Sequence, residues 1–313
     1  MRNYVANEVF CYEDIQIYFV RDIIIQIVSS GMLLIYLRII FLFLTRPTHY
    51  SNVFFRFMVL NGIIGICVYV SCLIHKSAFF FAWLEVGNEG YSELRWWKGV
   101  LLFVLYASGI SGNAAQVCMA LNRLSAIILV QEYNQLWKRY FPYVVTFILV
   151  LPFAIIPGLL VTPARFYTVC FPDYPWLDYS AVDADFTPWK FWFNPAKVAF
   201  SVDCLFVVAG MSINLLTISL FKGRRSSVHF SLVLMCLGDL FVHFCILIDD
   251  FVGFIYEHEL VEFDTFNTIN SLESMFLETI LLFPGLWSLV CSKQIRREFF
   301  EFPASTPVYV IKS

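Results

Sequence analysis

Seven stretches of the chain are apolar for long enough to cross a bilayer, and each ends at a polar or helix-breaking cluster. A spanning helix needs about 20 mostly apolar residues. The runs cover residues 23–44, 53–75, 99–123, 140–161, 198–221, 230–256 and 269–291. Their stops include Thr45-Arg46-Pro47, Lys76, Thr162-Pro163, Lys222-Gly223-Arg224-Arg225 and Glu257-His258-Glu259. The pattern predicts an all-α membrane protein. A seven-transmembrane-helix bundle fills residues 23–291, after an arm at 1–22 and before a tail at 292–313. The apolar stretch 78–83 is too short to span, and its aromatics suit the membrane–water interface. The first run begins after 22 mixed residues and is too long for a signal core, so it reads as a helix that stays in the membrane.

Composition strengthens this picture. Of 313 residues, 59% are hydrophobic and 14% charged, against roughly 25% charged in an average soluble domain. Aromatics make up 19%, including 34 Phe, and the mean hydropathy is +0.72. Too few polar side chains exist to cover a soluble protein of this size. Disorder is excluded too, since it needs low hydrophobicity and high net charge. A net charge of −3 gives no reason to expect nucleic acid as a partner. The bilayer is the partner that composition demands.

Charge sets the orientation. With the N-terminus outside, the inner segments and helix ends hold Arg38, Arg46, Arg56, Arg123, Lys138, Arg139, Lys222, Arg224, Arg225, Lys293, Arg296, Arg297 and Lys312. These form the majority of the 21 basic residues. Basic residues in short loops mark the cytoplasmic side, so the sequence predicts the N-terminus outside and the C-terminus in the cytoplasm. The long outer segment 162–197 is rich in aromatics, Pro and Asp. It reads either as a packed lid over the bundle or as an interfacial aromatic belt.

Of nine cysteines, only Cys11 and Cys170 sit in clearly outer segments, where oxidation is permitted. A bridge between them would pin the N-terminal arm to the long loop; two free thiols are the alternative, because sequence gives no distance. No Cys/His cluster points to a metal, and no motif points to a cofactor.

Ionisable groups inside a membrane are costly and usually face the protein interior. On the sixth run Asp239, His243 and Asp250 share a face, with Asp249 beside them. Asp203 lies in the outer half of the fifth run, Glu273 near the outer end of the seventh, and Tyr106 and Asn113 one stripe apart on the third. Tyr106, Asp203, His243, Asp250 and Glu273 are the candidates for a ligand pocket in the outer half. The alternative is that they join helices through hydrogen bonds. No nucleophile elbow, zinc-protease motif or phosphate loop is present, which argues against an enzyme. A channel or proton-coupled carrier of small solutes remains the other class, because chains of acids and His also serve as relays. The absence of an internal repeat weighs against a carrier.

The inner end of the third run reads Ala120-Leu121-Asn122-Arg123-Leu124-Ser125-Ala126-Ile127. A lone Arg there can snorkel to the interface. With Trp137-Lys138 before the fourth run, Pro152-Phe153 within it, and Pro284 with Trp287 and a basic stretch in the last, the chain resembles the nematode serpentine chemoreceptors, most closely the gamma class, over roughly residues 20–300. The resemblance implies a chemosensory G-protein-coupled receptor in the plasma membrane of a sensory cell. It would bind an external ligand in the outer half and activate a heterotrimeric G protein. It implies that Asn122, Arg123, Arg224 and Arg225 contact the G protein, and that Pro284 kinks the last helix. After that helix, residues 293–302 read as a short amphipathic helix with Ile295, Phe299 and Phe302 toward lipid. The chain departs from rhodopsin-like receptors in reading Asn122-Arg123-Leu124 at the third helix and Phe283-Pro284-Gly285-Leu286-Trp287 at the seventh. It also has Asn61 at mid-depth of the second, and no Cys at the outer start of the third.

Overall fold

Among the described residues, helices occupy the first five apolar runs and parts of the sixth and seventh. The computed structural model describes residues 9–11, 16–46, 50, 52–76, 96–162, 164–170, 179–184, 195–221, 233–244, 248, 286–291 and 293–300. Helix α1 runs over Gln16–Thr45, α2 over Val53–Lys76, α3 over Trp96–Ile128, α4 over Tyr133–Ile155 and α5 over Pro195–Phe221. All five are long and apolar enough to cross a membrane. The apolar helix α6 covers Val233–Phe244. Of the seventh run, residues 286–291 are described as helix α7, and α8 follows at Lys293–Phe300. Apart from Ile248, the remainder of the sixth and seventh runs, with Pro284, lies outside the described residues. Helix α1 has 30 residues, about 45 Å at 1.5 Å per residue, which exceeds the roughly 30 Å hydrocarbon core. It therefore starts inside the segment expected as the N-terminal arm.

Side chains are sorted inside out. Leu34 and Phe41 on α1, Phe147 and Phe153 on α4, and Leu205 and Leu215 on α5 are exposed, while Asn113, Gln116, Arg123, Asn214, Asp239 and His243 are buried. Hydrocarbon matches the first group, and the second belongs where protein surrounds it. The fold is a helical membrane bundle. Helix α3 sits at its centre, in contact with α2, α4 and α5. Phe57 of α2 anchors the inner core, edge-on to Trp137 and Phe141 of α4 at ring distances of 5.3 and 4.9 Å.

Proline shapes the α3–α4 seam. Pro152 lies inside α4, and without an N–H it leaves the carbonyl of Ile148, four residues earlier, without its helical donor. Ser111 of α3 donates its hydroxyl to that carbonyl at 3.0 Å. A neighbouring helix thus satisfies the freed group, as a membrane interior requires. Ser111→Ala should lower stability by about 1 kcal/mol, read as a fall of a few degrees in the melting temperature in detergent. An unchanged melting temperature would show that the seam does not need this bond.

The outer segment between α4 and α5 is not merely loop. After a 3₁₀ turn at Pro157–Leu160, β2 (Ala164–Cys170) and β3 (Tyr179–Ala184) pair antiparallel, from Ala164 opposite Ala184 to Val169 opposite Tyr179. A third strand, β1 (Val9–Cys11), pairs parallel to the far edge of β2. Strands β2 and β3 rest on α3, and β3 also on α2. The helical plan thus carries a small sheet at the end of the bundle that the basic residues predict to be outside. Val, Phe, Tyr and Thr supply its strand-forming residues.

At the opposite end, α8 departs from expectation. Ile295 is buried at 1% exposure in the inner core rather than facing lipid, Phe299 packs against that core, and Phe300 is exposed. Phe302 lies outside the described residues. The amphipathic pattern is present, but its apolar face is used by the bundle. Glu298 is buried and pairs with Arg46 at the end of α1, 3.0 Å away. Burial, then the nearby Glu298 carboxylate, pushes the Tyr50 phenol well above its ordinary range, so it stays neutral. Arg296 donates to the Val290 carbonyl and, at 3.4 Å, to that of Leu289. A cation thereby meets the C-terminal carbonyls of α7, where the helix dipole favours it.

Candidate functional site

Two polar clusters lie along α3, about 10 residues apart. In the outer one, the Asn113 side-chain amide donates to Asp203 Oδ1 of α5 at 3.0 Å. Tyr106, two turns outward on α3, packs in a cluster with Phe103, Ile110, Val202 and Phe206. Tyr106 and Asp203 are therefore on facing helices in the outer half, with Asn113 as the link. The carbonyl oxygen of the same amide, Asn113 Oδ1, is buried with no hydrogen-bond partner.

The inner cluster is an ion pair. Arg123 of α3 donates to the Asp239 carboxylate of α6, and their side chains are 4% and 10% exposed. Arg123 Nε also donates to the Met119 carbonyl at 3.3 Å. A buried charge needs this kind of compensation, and leaving one partner alone is strongly unfavourable. The pair forms one wall of a cleft lined by Phe54 and Met58 of α2, Met119 of α3, Met235 of α6, and Trp287 and Ser288 of α7. Three methionines make these walls adaptable.

Helix α6 is held close on both sides by glycine. A Cβ on Gly210 of α5 would lie 2.3 Å from His243 Nε2, and a Cβ on Gly238 would lie 2.1 Å from Trp287 Nε1. Only glycine permits those approaches. Trp287 Nε1 donates to the Leu234 carbonyl at 2.7 Å. His243 Nδ1 lies 2.6 Å from the Asp239 carbonyl, which can only accept, so Nδ1 carries the proton. Its Nε2 is buried without a partner, as are both amide atoms of Gln116 and of Asn214. Asn214 is one turn from Gly210 on the same face of α5.

The motif residues at the end of α3 form one network. The Tyr133 hydroxyl donates to Asn122 Oδ1 at 3.0 Å and also reaches Asn52 Oδ1 at 3.1 Å. Trp137 Nε1 donates to Ser125 Oγ at 2.7 Å. These bonds fasten the start of α4 to the end of α3 and the start of α2.

The predicted site residues thus separate. Tyr106 and Asp203 lie on the contacting helices α3 and α5, and the bond from Asp203 is made to Asn113. His243, grouped with them by sequence, lies about two turns deeper, beside Gly210, which is seven residues beyond Asp203 on α5. Asp250, Glu273, Arg224 and Arg225 fall outside the described residues. Asn122 and Arg123 are buried at 1% and 4% exposure, so in this conformation neither reaches the inner surface. The sequence placed Asp239 on one face with His243 but did not pair it with Arg123, because spacing along one helix carries no signal of a partner on another. Among the described residues, no group of three His, Cys, Asp or Glu side chains could hold a metal ion.

Residues 24–299 match the family model described as Srg family chemoreceptor. No curated protein matches the chain.

Proposed function

The chain belongs to the Srg family of chemoreceptors, and from that premise we propose that it couples an external ligand to a heterotrimeric G protein by opening the inner ends of α3 and α6. It is a multi-pass membrane receptor rather than a member of an enzyme family; its place of action in this reading is the plasma membrane of a sensory cell. The observation that carries the proposal is the buried Arg123–Asp239 pair, which ties those two helices. In this reading the closed packing keeps the tie and an open packing releases it, and a ligand shifts populations between the two. The ligand would bind beside Tyr106 and Asp203, where Asn113 joins α3 to α5, with Asp250 and Glu273 as further candidates. Rearranging that joint would move α5, and Gly210 would pass the movement to His243 and α6. Arg123, once released, would face the G protein together with Asn122. Arg224 and Arg225 would add positive charge at the inner surface.

The test is nucleotide exchange on the heterotrimer by purified protein in lipid vesicles, screened against small chemical stimuli. A stimulus that raises exchange is expected. Asp203→Ala should raise the concentration needed by about ten- to a hundredfold, the worth of roughly 1.5–3 kcal/mol for a charged hydrogen bond. Flux of ions or solute through the same vesicles without any G protein would overturn the receptor mechanism in favour of a channel or carrier.

A further inference from the structure

The outer sheet brings together two segments that are far apart in sequence. Strand β1 runs parallel to β2 with Val9, Phe10 and Cys11 opposite Thr168, Val169 and Cys170. The two cysteines therefore occupy one rung at the end of both strands. Neighbouring strands lie about 4.8 Å apart, and a disulfide joins Cα atoms separated by about 4.4–6.8 Å. Residues that face each other across a sheet share one of its faces. Register thus supplies the proximity that sequence could not.

We propose that Cys11 and Cys170 form a disulfide that staples the N-terminal arm to the edge of the outer sheet. Three further observations support it. Cys67, Cys118, Cys236 and Cys291 are carried on the helices outside any disulfide, Cys204 lies within the α5 span, and Cys72 and Cys245 belong to predicted spans. Four spans separate Cys11 from Cys170, so both emerge on the same side of the membrane. That side is the one the basic residues assign to the oxidising exterior. Finally, β1 has only three residues. A ladder that short has few hydrogen bonds with which to hold an arm, and a covalent link supplies the missing restraint.

The oxidation balances with a protein disulfide of the thiol-oxidoreductase class met in the secretory pathway. One thiolate attacks that disulfide, giving a mixed disulfide. The second thiolate displaces it, leaving Cys11 Sγ–Cys170 Sγ. The two electrons and two protons end on the oxidoreductase as its dithiol. The bridge would fix the sheet over the outer ends of α2 and α3, which its strands contact. It stands apart from the coupling mechanism and needs no ligand to be tested.

Full-length protein is made in eukaryotic cells, blocked with N-ethylmaleimide before lysis, and digested without reductant for mass spectrometry. The expected result is a linked peptide pair containing Cys11 and Cys170, two hydrogens lighter than the sum of its thiol peptides and lost on reduction. Recovery of both cysteines as maleimide adducts overturns the proposal, as does either one paired with another cysteine. In the variants, Cys11→Ser should make Cys170 react fully with maleimide, and Cys170→Ser should do the same for Cys11. Protection of the remaining cysteine would also overturn it. The wild-type peptide map decides the matter even if a variant fails to reach the cell surface.

Discussion

Asp239→Ala is expected to raise nucleotide exchange in the absence of any stimulus, while Arg123→Ala abolishes stimulated exchange. The first substitution leaves the Arg123 guanidinium buried and unpaired in the closed packing. Such one-sided removal costs about 3–5 kcal/mol. If opening lets Arg123 reach water or a partner, the cost falls on the closed packing alone. At about 1.4 kcal/mol per tenfold, the closed-to-open ratio then shifts by a hundredfold or more. The second substitution also breaks the pair but removes the group proposed to engage the G protein, so both basal and stimulated exchange should fall. Surface labelling of both variants separates signalling from loss of protein. The opposed directions are the informative outcome, because a merely structural ion pair would depress exchange in both variants alike.

Gly238→Val should be the most damaging single apolar substitution on α6. Even the first carbon of the new side chain would meet the Trp287 indole at 2.1 Å. Either α7 moves away or the indole swings out, and the Trp287–Leu234 bond at 2.7 Å is lost with it. Overpacking typically costs about 1–3 kcal/mol, and the lost interhelical bond adds roughly 0.6–1.7 kcal/mol. The melting temperature in detergent should fall by several degrees, and the inner cleft beside Trp287 should deform. Gly109→Ala is the control. A Cβ there meets nothing within 4 Å, and Ala favours a helix over Gly by about 1 kcal/mol, so the melting temperature should hold or rise. Equal losses in both variants would show that glycine flexibility matters more than the close approach of α6 and α7.

The helices were legible because a bilayer imposes a length and a polarity on every span, and both are local properties of the sequence. The sheet was not. Residues 164–170 pair with 179–184 and with 9–11, and no local signal announces that a three-residue segment will join a strand most of a domain away. Similar physics explains the site. Arg123 and Asp239 were each conspicuous as charges in apolar runs, but their meeting depends on how α3 crosses α6. His243 was grouped with the outer acids because one helical face extends through the full depth of a span; only its contact with Gly210 fixes its level. For α8 the periodicity was correct and its consequence was not. Lipid and the bundle interior are both apolar, so a stripe containing Ile295 cannot by itself say which of them it meets. The Arg46–Glu298 pair decided it, by turning that face toward α1.

That same pair gives the protein a clasp. Helix α8 is gripped at one point by α1 through Arg46 and Glu298, and at another by α7 through Arg296. Helices α1 and α7 are thereby both held to α8, a helix of eight residues. A chain cut just before Lys293 would lose both grips at once, and the proposed opening of the bundle would then have no fixed rim to work against.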